Sequence, residues 1–428
     1  MPNELLETFR EAYRNLELLP LVEQKDLEKF KVEYGTEVIE ELEQLVEDSP
    51  AGDGKIVFTG HRGCGKSTLL AEFSRRIGDR YFIALFSISD MIEMSDVNHI
   101  NILFAIAVSL MEEAEKRQIT IKQSTKDSFY QWFATRTQIK SEEYKAEGSV
   151  GFNLFKLISG KLKADAATRN EIKQEFTKKI SDLIAQINII ASVIYAETNQ
   201  DVLVIIDDLD KLDLELVREV FQEHIKALFQ PNFRIIFTIP IAALREVSLM
   251  SMIETETNNQ IIPMPVSKLF AKGERRQPNA TPKVEPTAQL CDILKKRIKP
   301  ELIEEQTAEQ IIIYSGGVLR ELIRIANECC RICLRLVRRY PDRNDIKIND
   351  DILKQAITKL SLDFDTRIGT DDYQILETTY KESRPNDPKE QKFLDLLHGL
   401  YILEYRNAQL WYDVHPIVTE LLQERGHI

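Results

Sequence analysis

The residues from Gly60 to Ser67, GHRGCGKS, have the types and spacing of a loop that binds phosphate groups. They follow the apolar run KIVFT, which predicts a strand, and precede TLLAEFSRRI, which predicts a helix. Glycines let backbone N–H groups turn toward phosphate oxygens, and the start of a helix adds a favourable dipole. The pattern therefore predicts a cradle for a triphosphate.

Two side chains of this loop add specific chemistry. The Lys66 ammonium is expected to contact the β and γ phosphates of ATP, and the Ser67 hydroxyl to complete the ligand shell of Mg²⁺. The residues expected to contact the nucleotide are Gly60, His61, Arg62, Gly63, Cys64, Gly65, Lys66, Ser67 and Thr68.

Acidic residues end a second predicted strand, VLVIIDDLD. We expect Asp207 to hold the Mg²⁺ and Asp208 to orient the attacking water. Ligands of open α/β sheets bind at the carboxyl ends of the strands, and both motifs fall at such ends. The sequence therefore predicts that the two motifs converge on one site.

Thr238 closes a further predicted strand, FRIIFT. A hydroxyl there could contact the γ-phosphate or the water, but threonine also ends strands for structural reasons alone. The sequence leaves both interpretations open.

Short apolar runs alternating with helical patterns predict a parallel α/β sheet for the part of the chain that contains these motifs. The runs are KIVFTG, YFIALFSIS, VLVIID, FRIIFTIP and QIIPMPV. VLVII and RIIF are apolar throughout, which is typical of central strands covered on both faces.

Four regions are predicted along the chain. They are an N-terminal helical segment (1–50), the α/β core (51–270) with an insertion at about 119–167, a linker and helical region (271–362), and a C-terminal region (363–428). Within them, 168–197 is predicted as one long helix, 271–286 as a polar linker, and the end of the chain as a winged helix-turn-helix with its β-turn at Asn407-Ala408.

Composition and charge limit the classes of protein. The 428 residues carry a net charge of −13, which excludes a uniformly basic coat for nucleic acid. Five cysteines do not make a disulfide framework for a chain of this length, and CCRIC is expected to pack in a core. The apolar runs are shorter than the roughly 20 residues of a membrane helix, so we expect a cytoplasmic protein without integral membrane insertion.

Two segments have more than one interpretation. A predicted helix at 318–340 aligns arginines on one side, either as a solvated or acid-paired face or as a contact for phosphates; they are Arg320, Arg324, Arg331, Arg335 and Arg338. The basic amphipathic segment GFNLFKLISGKLK, at 151–163, is expected to pack on its own core, with a partner or an anionic membrane surface as the alternative.

The order GHRGCGKS, VLVIIDDLD, FRIIFT and SGGVLR resembles that of an AAA+ ATPase, with segments similar to Walker A, Walker B, sensor 1 and sensor 2. The SGG-x-x-R form and the acids of DDLD are most similar to the branch shared by replication-initiator ATPases and STAND NTPases. The resemblance implies a five-stranded parallel P-loop NTPase core with a helical lid and a C-terminal winged-helix-like domain. It also implies that the lid carries Arg320 toward the γ-phosphate and that nucleotide governs oligomerisation.

The chain departs from the usual AAA+ pattern at one acid. Asp207-Asp208 stands where most such hydrolases have Asp-Glu, and the shorter side chain, which places its carboxylate further from the water, is compatible with slow hydrolysis. In such ATPases a neighbouring subunit normally supplies an arginine finger to the nucleotide site. Spacing alone does not identify this arginine, and Arg245 is the candidate.

The function that we expect is an ATP-binding and ATP-hydrolysing switch that acts on its own assembly or on an unidentified protein partner. Two alternatives remain open: a DNA-binding ATPase of the initiator type, and a signalling scaffold that binds ATP without hydrolysing it.

Overall fold

The computed structural model describes residues 2–49, 54–139, 150–406 and 409–428 of the chain. The strands are β1 (Lys55–Gly60), β2 (Tyr81–Ser87), β3 (Asp201–Asp207), β4 (Arg234–Pro240), β5 (Ile261–Met264), β6 (Ile402–Arg406) and β7 (Leu410–Val414). The helices of the first half are α1 (Pro2–Asn15), α2 (Gln24–Phe30), α3 (Thr36–Asp48), α4 (Lys66–Ile77), α5 (Ile88–Met91), α6 (His99–Lys116), α7 (Gln123–Thr137), α8 (Val150–Ala164), α9 (Ala166–Thr177) and α10 (Ile180–Thr198). Those of the second half are α11 (Leu214–Arg218), α12 (Ile225–Leu228), α13 (Val247–Glu256), α14 (Val284–Lys295), α15 (Glu305–Tyr314), α16 (Leu319–Arg339), α17 (Asp350–Asp365), α18 (Thr370–Glu382), α19 (Gln391–His398) and α20 (Pro416–Glu424).

A five-stranded parallel sheet forms in the order β2-β3-β4-β1-β5, which confirms the predicted P-loop NTPase core, whereas the winged-helix form of the C-terminal region stays a prediction. β2 and β3 pair in register from Tyr81 opposite Asp201 to Ser87 opposite Asp207. Every residue of β4 is buried, and so is every residue of β3 after Asp201. Their continuous apolar runs therefore follow from burial on both faces of the sheet.

The chain divides into two compact units. The loop unit comprises Met1–Thr36, Gly60–Thr68 and Met264–Ile428, and the sheet unit comprises Glu37–Thr59 and Leu69–Pro263. The glycine-rich loop thus groups with the second half of the chain, whereas sequence patterns had placed it within one continuous core of residues 51–270.

In the sheet unit, α10 packs on α6 and on β2 and β3 through its buried face. It is the one helix of the described residues that is long and apolar enough to cross a membrane by length and composition. Leu183, Ile187 and Ile194 are buried inside the protein, whereas Ile189 and Tyr195 of the same helix are exposed.

The described residues of the insertion and of the segment after it form α7, α8 and α9, whose aromatic side chains interlock. Phe133 meets Phe155 edge to face at 5.2 Å between ring centroids, and Trp132 meets Phe133 at 4.9 Å. Ile158 and Leu162 of α8 are buried, and α8 packs on α6. For the described side chains of 151–163, packing on the protein's own core is confirmed; the side chains of 151–153 lie outside the described part.

The single long helix predicted for 168–197 is wrong, because the chain breaks it between Thr177 and Ile180 into α9 and α10. The break contains no glycine or proline, only Lys178 and Lys179. α9 packs on α6, α7 and α8, whereas α10 packs on α6 and the sheet, so tertiary contacts override a continuous helical pattern.

In the loop unit, the polar stretch predicted as a linker is anchored instead. Arg275 donates to the carbonyl of Val414 at 3.0 Å, and Arg276 donates to the carboxylate of Asp413 at 2.8 Å. A short 3₁₀ helix, Glu274–Arg276, presents both arginines. Charge-assisted bonds to the buried Asp413 therefore fix this segment to the C-terminal hairpin.

β6 and β7 pair antiparallel from Ile402 opposite Val414 to Arg406 opposite Leu410. The predicted turn residues between them, Asn407 and Ala408, lie outside the described residues. The hairpin contributes to a buried apolar cluster of the loop unit, which contains Val266, Val318, Leu403, Tyr405 and Trp411.

Candidate functional site

The glycine-rich loop connects the end of β1 to the start of α4, as the strand, loop and helix pattern predicts. Gly63 has φ +81° and Gly65 has φ +105°, a left-handed region that glycine adopts without strain. Backbone that turns in this way presents N–H groups on a concave side and makes a site for anions. The loop is therefore built for phosphate.

The Lys66 side chain is buried and its position is fixed by the loop itself. Its ammonium donates to the carbonyl of His61 at 2.8 Å and to the carbonyl of Gly60 at 3.0 Å. These bonds hold the positive charge across the loop, where a β or γ phosphate would be neutralised. Ser67, the next residue in α4, is half-buried.

Arg320 lies against the same loop, within the loop unit. Its backbone N–H donates to the carbonyl of Gly63 at 2.9 Å. A Cβ atom built on Gly63 would lie 2.4 Å from the Cβ of Arg320, so a side chain at 63 has no room. The structure thus places Arg320 against the glycine loop, and contact of its side chain with a γ-phosphate stays a prediction.

Two other residues of the loop contact distant parts of the chain. The Nε2 of His61 accepts a hydrogen bond from the backbone N–H of Glu404 in β6, at 2.7 Å. The Thr68 hydroxyl accepts one from the N–H of Leu21, at 2.9 Å. The sequence carried no signal for either partner, because both bonds come from the backbone.

In the sheet unit, three buried carboxylates gather where β3 ends. Asp207, Asp208 and Asp210 each offer an oxygen, and these atoms lie within 4.8 Å of one another. Carboxylate oxygens are the ligands that Mg²⁺ prefers. The Mg²⁺ role of Asp207 stays a prediction, and Asp210 is an additional acid whose signal was its place in DDLD.

The Asp208 carboxylate is held by three donors. One oxygen, Oδ2, accepts from the hydroxyls of Ser87 at 2.6 Å and Ser89 at 2.8 Å, and Oδ1 pairs with the Lys211 ammonium at 2.7 Å. Burial raises the pKa of Asp208, but the bonds from Lys211, Ser87 and Ser89 outweigh burial and lower the pKa overall. The group is therefore kept ionised.

Thr238 supports the turn that carries these acids. Its buried hydroxyl accepts from the N–H of Leu209 at 3.1 Å and donates to the carbonyl of Ile206 at 3.1 Å. The hydroxyl thus joins β4 to both sides of Asp207 and Asp208, and the structural interpretation accounts for this residue. Contact with a γ-phosphate stays a prediction.

Residues 36–240 match the family model described as the KAP family P-loop domain. This part of the chain is therefore similar to a P-loop NTPase domain, and the chain has the P-loop NTPase fold. The matched range contains the P-loop, the acids after β3 and Thr238. No curated protein matches the chain.

Solved structures similar to this P-loop NTPase cover most of the chain at low identity. A Walker-type ATPase of Pyrococcus abyssi is 16% identical, with a TM-score of 0.43 and coverage of 96% of this chain and 99% of that one. Cdc6p of Pyrobaculum aerophilum is 12% identical, with a TM-score of 0.38 and coverage of 94% and 98%. Orc1 of Aeropyrum pernix, solved in complex with DNA, is 9% identical, with a TM-score of 0.38 and coverage of 97% of each chain. At these levels the activities of the relatives do not transfer to this chain.

The arginine-finger candidate, Arg245, ends a 3₁₀ helix (Ile241–Arg245) after β4 and is half-buried. Its role stays a prediction.

The arginine face of α16 divides in two. Arg324 pairs with Glu321 and Asp363, and Arg331 pairs with Glu328. Nearer the end of the helix Arg335, Arg338 and Arg339 are exposed.

Cys329, Cys330 and Cys333 of α16 are buried free thiols, as the core-packing interpretation predicts. Burial raises the pKa of the Cys333 thiol to about 12. These thiols are therefore protonated and poorly suited to bind a metal.

Proposed function

We propose that this P-loop NTPase binds ATP with Mg²⁺ and hydrolyses it slowly, and that the bound nucleotide controls self-assembly or the engagement of a protein partner. The observation that carries the proposal is the P-loop, with two left-handed glycines and the Lys66 ammonium bonded to its own carbonyls. Five free cysteines favour a reducing compartment such as the cytoplasm.

Within this proposal the residues of the chain have distinct tasks. The P-loop amides and Lys66 bind phosphates, and Ser67 with Asp207 would hold the Mg²⁺, which supplies charge neutralisation between the β and γ phosphates. Asp208 is held ionised and orients water. Arg320, through its place beside Gly63, couples the P-loop to α16.

The first test separates binding from turnover. Lys66→Ala removes charge-assisted contacts worth roughly 1.5–3 kcal/mol each, which is a loss of about 10- to 150-fold in ATP affinity. Asp208→Ala should leave affinity unchanged and slow phosphate release. Lys116→Ala is a suitable control, because that lysine is exposed and pairs only with Glu113 of its own helix. Equal ATP affinity in the wild type and the Lys66 variant contradicts the proposal.

The second test addresses assembly. Particle mass is measured with ADP, ATP and a non-hydrolysable analogue, each with and without duplex DNA. A mass that changes with the nucleotide supports a switch that controls assembly. A particle mass that stays constant in every condition excludes control of self-assembly. Control of partner engagement is then the remaining form of the proposal. Rapid steady-state phosphate release by the protein alone excludes the alternative of a non-hydrolysing scaffold.

DNA binding is the second candidate function, and a specific feature favours it. Arg338 has no ion pair among the described residues, and Arg339 lies over the ring of the exposed Tyr340, with 5.5 Å between the guanidinium carbon and the ring centroid. Exposed arginines beside an aromatic ring suit a nucleic-acid backbone. A titration with duplex DNA across salt concentrations decides, because phosphate contacts give an affinity that falls as salt rises. No binding at low salt removes this candidate.

A further inference from the structure

The short segment after β2 holds the proposed water-orienting carboxylate. The hydroxyls of Ser87 and Ser89 both donate to Oδ2 of Asp208, and they lie 2.8 Å from each other. Ser87 ends β2 and Ser89 lies in α5, so the position of Asp208 depends on the path of the chain from β2 into α5.

The same segment is held from its other side by the insertion. Lys163, near the end of α8, donates to the backbone carbonyl of Ser89 at 2.7 Å and to that of Ile92 at 3.3 Å. Its ammonium also lies 3.5 Å from the carboxylate of Glu93. One residue, Ser89, therefore receives a bond from the insertion at its carbonyl and gives one to Asp208 from its hydroxyl.

The end of α8 is itself fixed. The buried Arg169 donates to the carbonyls of Leu162 at 2.7 Å and Lys163 at 3.0 Å, and its Nε donates to Asp96 at 2.9 Å. Asp96 follows α5 by a few residues in the chain. The segment after β2 is thus joined at two points to α8 and α9, by the charged side chains of Lys163 and Arg169.

We propose that Lys163 is a positioning residue, through which the insertion sets the Asp208 carboxylate for hydrolysis. This inference rests on the proposed ATP hydrolysis. A carboxylate that accepts fixed hydrogen bonds is preorganised, which is the property that orientation of water requires. Loss of the Lys163 bond frees the Ser89 backbone, and the bond from Ser89 to Asp208 weakens as a result.

Lys163 belongs to a packed group of helices, so its position depends on the helices around it. Phe155 of α8 contacts the rings of Tyr130 and Phe133 in α7, and both contacts are edge to face. Anything that shifts α7 or α8 therefore shifts Lys163 with them. Regulation of turnover through the insertion follows from this geometry.

The test compares two lysines on one helix. In Lys163→Met the aliphatic stem remains and the donor is lost. Lys161→Met is the control. The Lys161 ammonium donates to the carbonyl of Thr137 at 2.5 Å and not to the carbonyl of Ser89. Lys163→Met should lower kcat by about 2- to 12-fold, the weight of one hydrogen bond, with KM for ATP unchanged. The control should retain the wild-type kcat.

Two further comparisons distinguish positioning from general damage to the fold. Ser89→Ala should reduce kcat similarly, and the double variant should be no slower than Ser89→Ala alone. Lys163→Arg, which can still donate to both carbonyls, should restore turnover.

Hydrogen exchange supplies a measurement that does not depend on turnover. Peptides covering residues 85–92 and 205–211 should exchange faster in Lys163→Met than in the wild type, and not in Lys161→Met. Unchanged exchange in these peptides, or kcat losses that add in the double variant, overturns the inference. A wild-type protein that binds ATP but releases no phosphate contradicts the proposed hydrolysis and the positioning role, whereas exchange still decides whether Lys163 holds the two segments.

Discussion

Gly317 is a position at which adding a single methyl group should disable the loop unit. The residue has φ +84°, and a Cβ atom built on it would lie 1.9 Å from the carbonyl oxygen of Ser267. Two hydrogen bonds also hold this turn. The N–H of Ser267 donates to the carbonyl of Gly317 at 3.3 Å, and the Tyr405 hydroxyl donates to the carbonyl of Gly316 at 2.7 Å. Backbone therefore surrounds this site, and relief requires the displacement of backbone.

The cost of Gly317→Ala has two parts. A left-handed conformation costs an alanine about 1–2 kcal/mol, and overpacking costs about 1–3 kcal/mol more. We therefore expect a loss of about 2–5 kcal/mol in the free energy of unfolding of the loop unit. The turn leads directly into α16, which places Arg320 beside Gly63, so ATP affinity should fall as well.

Variants at two other glycines separate the conformational cost from the overpacking cost. Gly426 has φ +73° and nothing within 4 Å of its built Cβ, so Gly426→Ala carries only the conformational cost. Gly160 lies in α8, also with nothing within 4 Å, so Gly160→Ala should stabilise by roughly 0.5–1 kcal/mol. Urea unfolding followed by circular dichroism gives the three values. A Gly317→Ala variant that loses no more stability than Gly426→Ala refutes the reasoning.

Three more predictions concern single groups. Burial and the stacked ring of His224, 3.7 Å away, lower the pKa of His99 to about 4, so the folded protein resists its protonation. Stability should therefore be lost as pH falls from about 6.5 toward 4, and less so in His99→Phe, as measured by urea midpoints across pH. Asp413→Asn should weaken the anchor formed by Arg276 and make residues 271–283 more sensitive to protease; unchanged cleavage contradicts this. Iodoacetamide should label Cys291 in the native protein and the four buried cysteines only on unfolding, as read by peptide mass.

The sheet was predictable because burial on both faces leaves a plain mark in the sequence. β3 and β4 must be apolar at nearly every position, and the P-loop must contain glycine where φ is positive. These requirements act on each residue separately, so a single sequence reveals them. The same holds for the acids at the end of β3, since a charged group follows a buried strand.

The parts that could not be predicted depend on contacts between distant segments. The break between α9 and α10 has no local signal in the sequence. It arises because α9 packs on α7 and α8, whereas α10 packs on the sheet. The stretch at 271–286 has the sequence pattern of a polar linker, since its glycine, prolines and charges are ordinary for a loop. Only the buried Asp413 on the C-terminal hairpin gives Arg275 and Arg276 their role.

The contacts of the P-loop indicate how the switch that we propose would be coupled to the rest of the loop unit. Three backbone N–H groups of the loop unit donate to it: Arg320 to Gly63, Glu404 to the ring of His61, and Leu21 to the hydroxyl of Thr68. Backbone donors keep their partners through sequence change, and each of these belongs to a different part of the loop unit. A shift of the loop by even part of an ångström would alter all three bonds, because hydrogen bonds weaken steeply with distance and angle. Phosphate at the loop would therefore be felt by the N-terminal segment, α16 and the β6–β7 hairpin together, which is the coupling that control by a nucleotide needs.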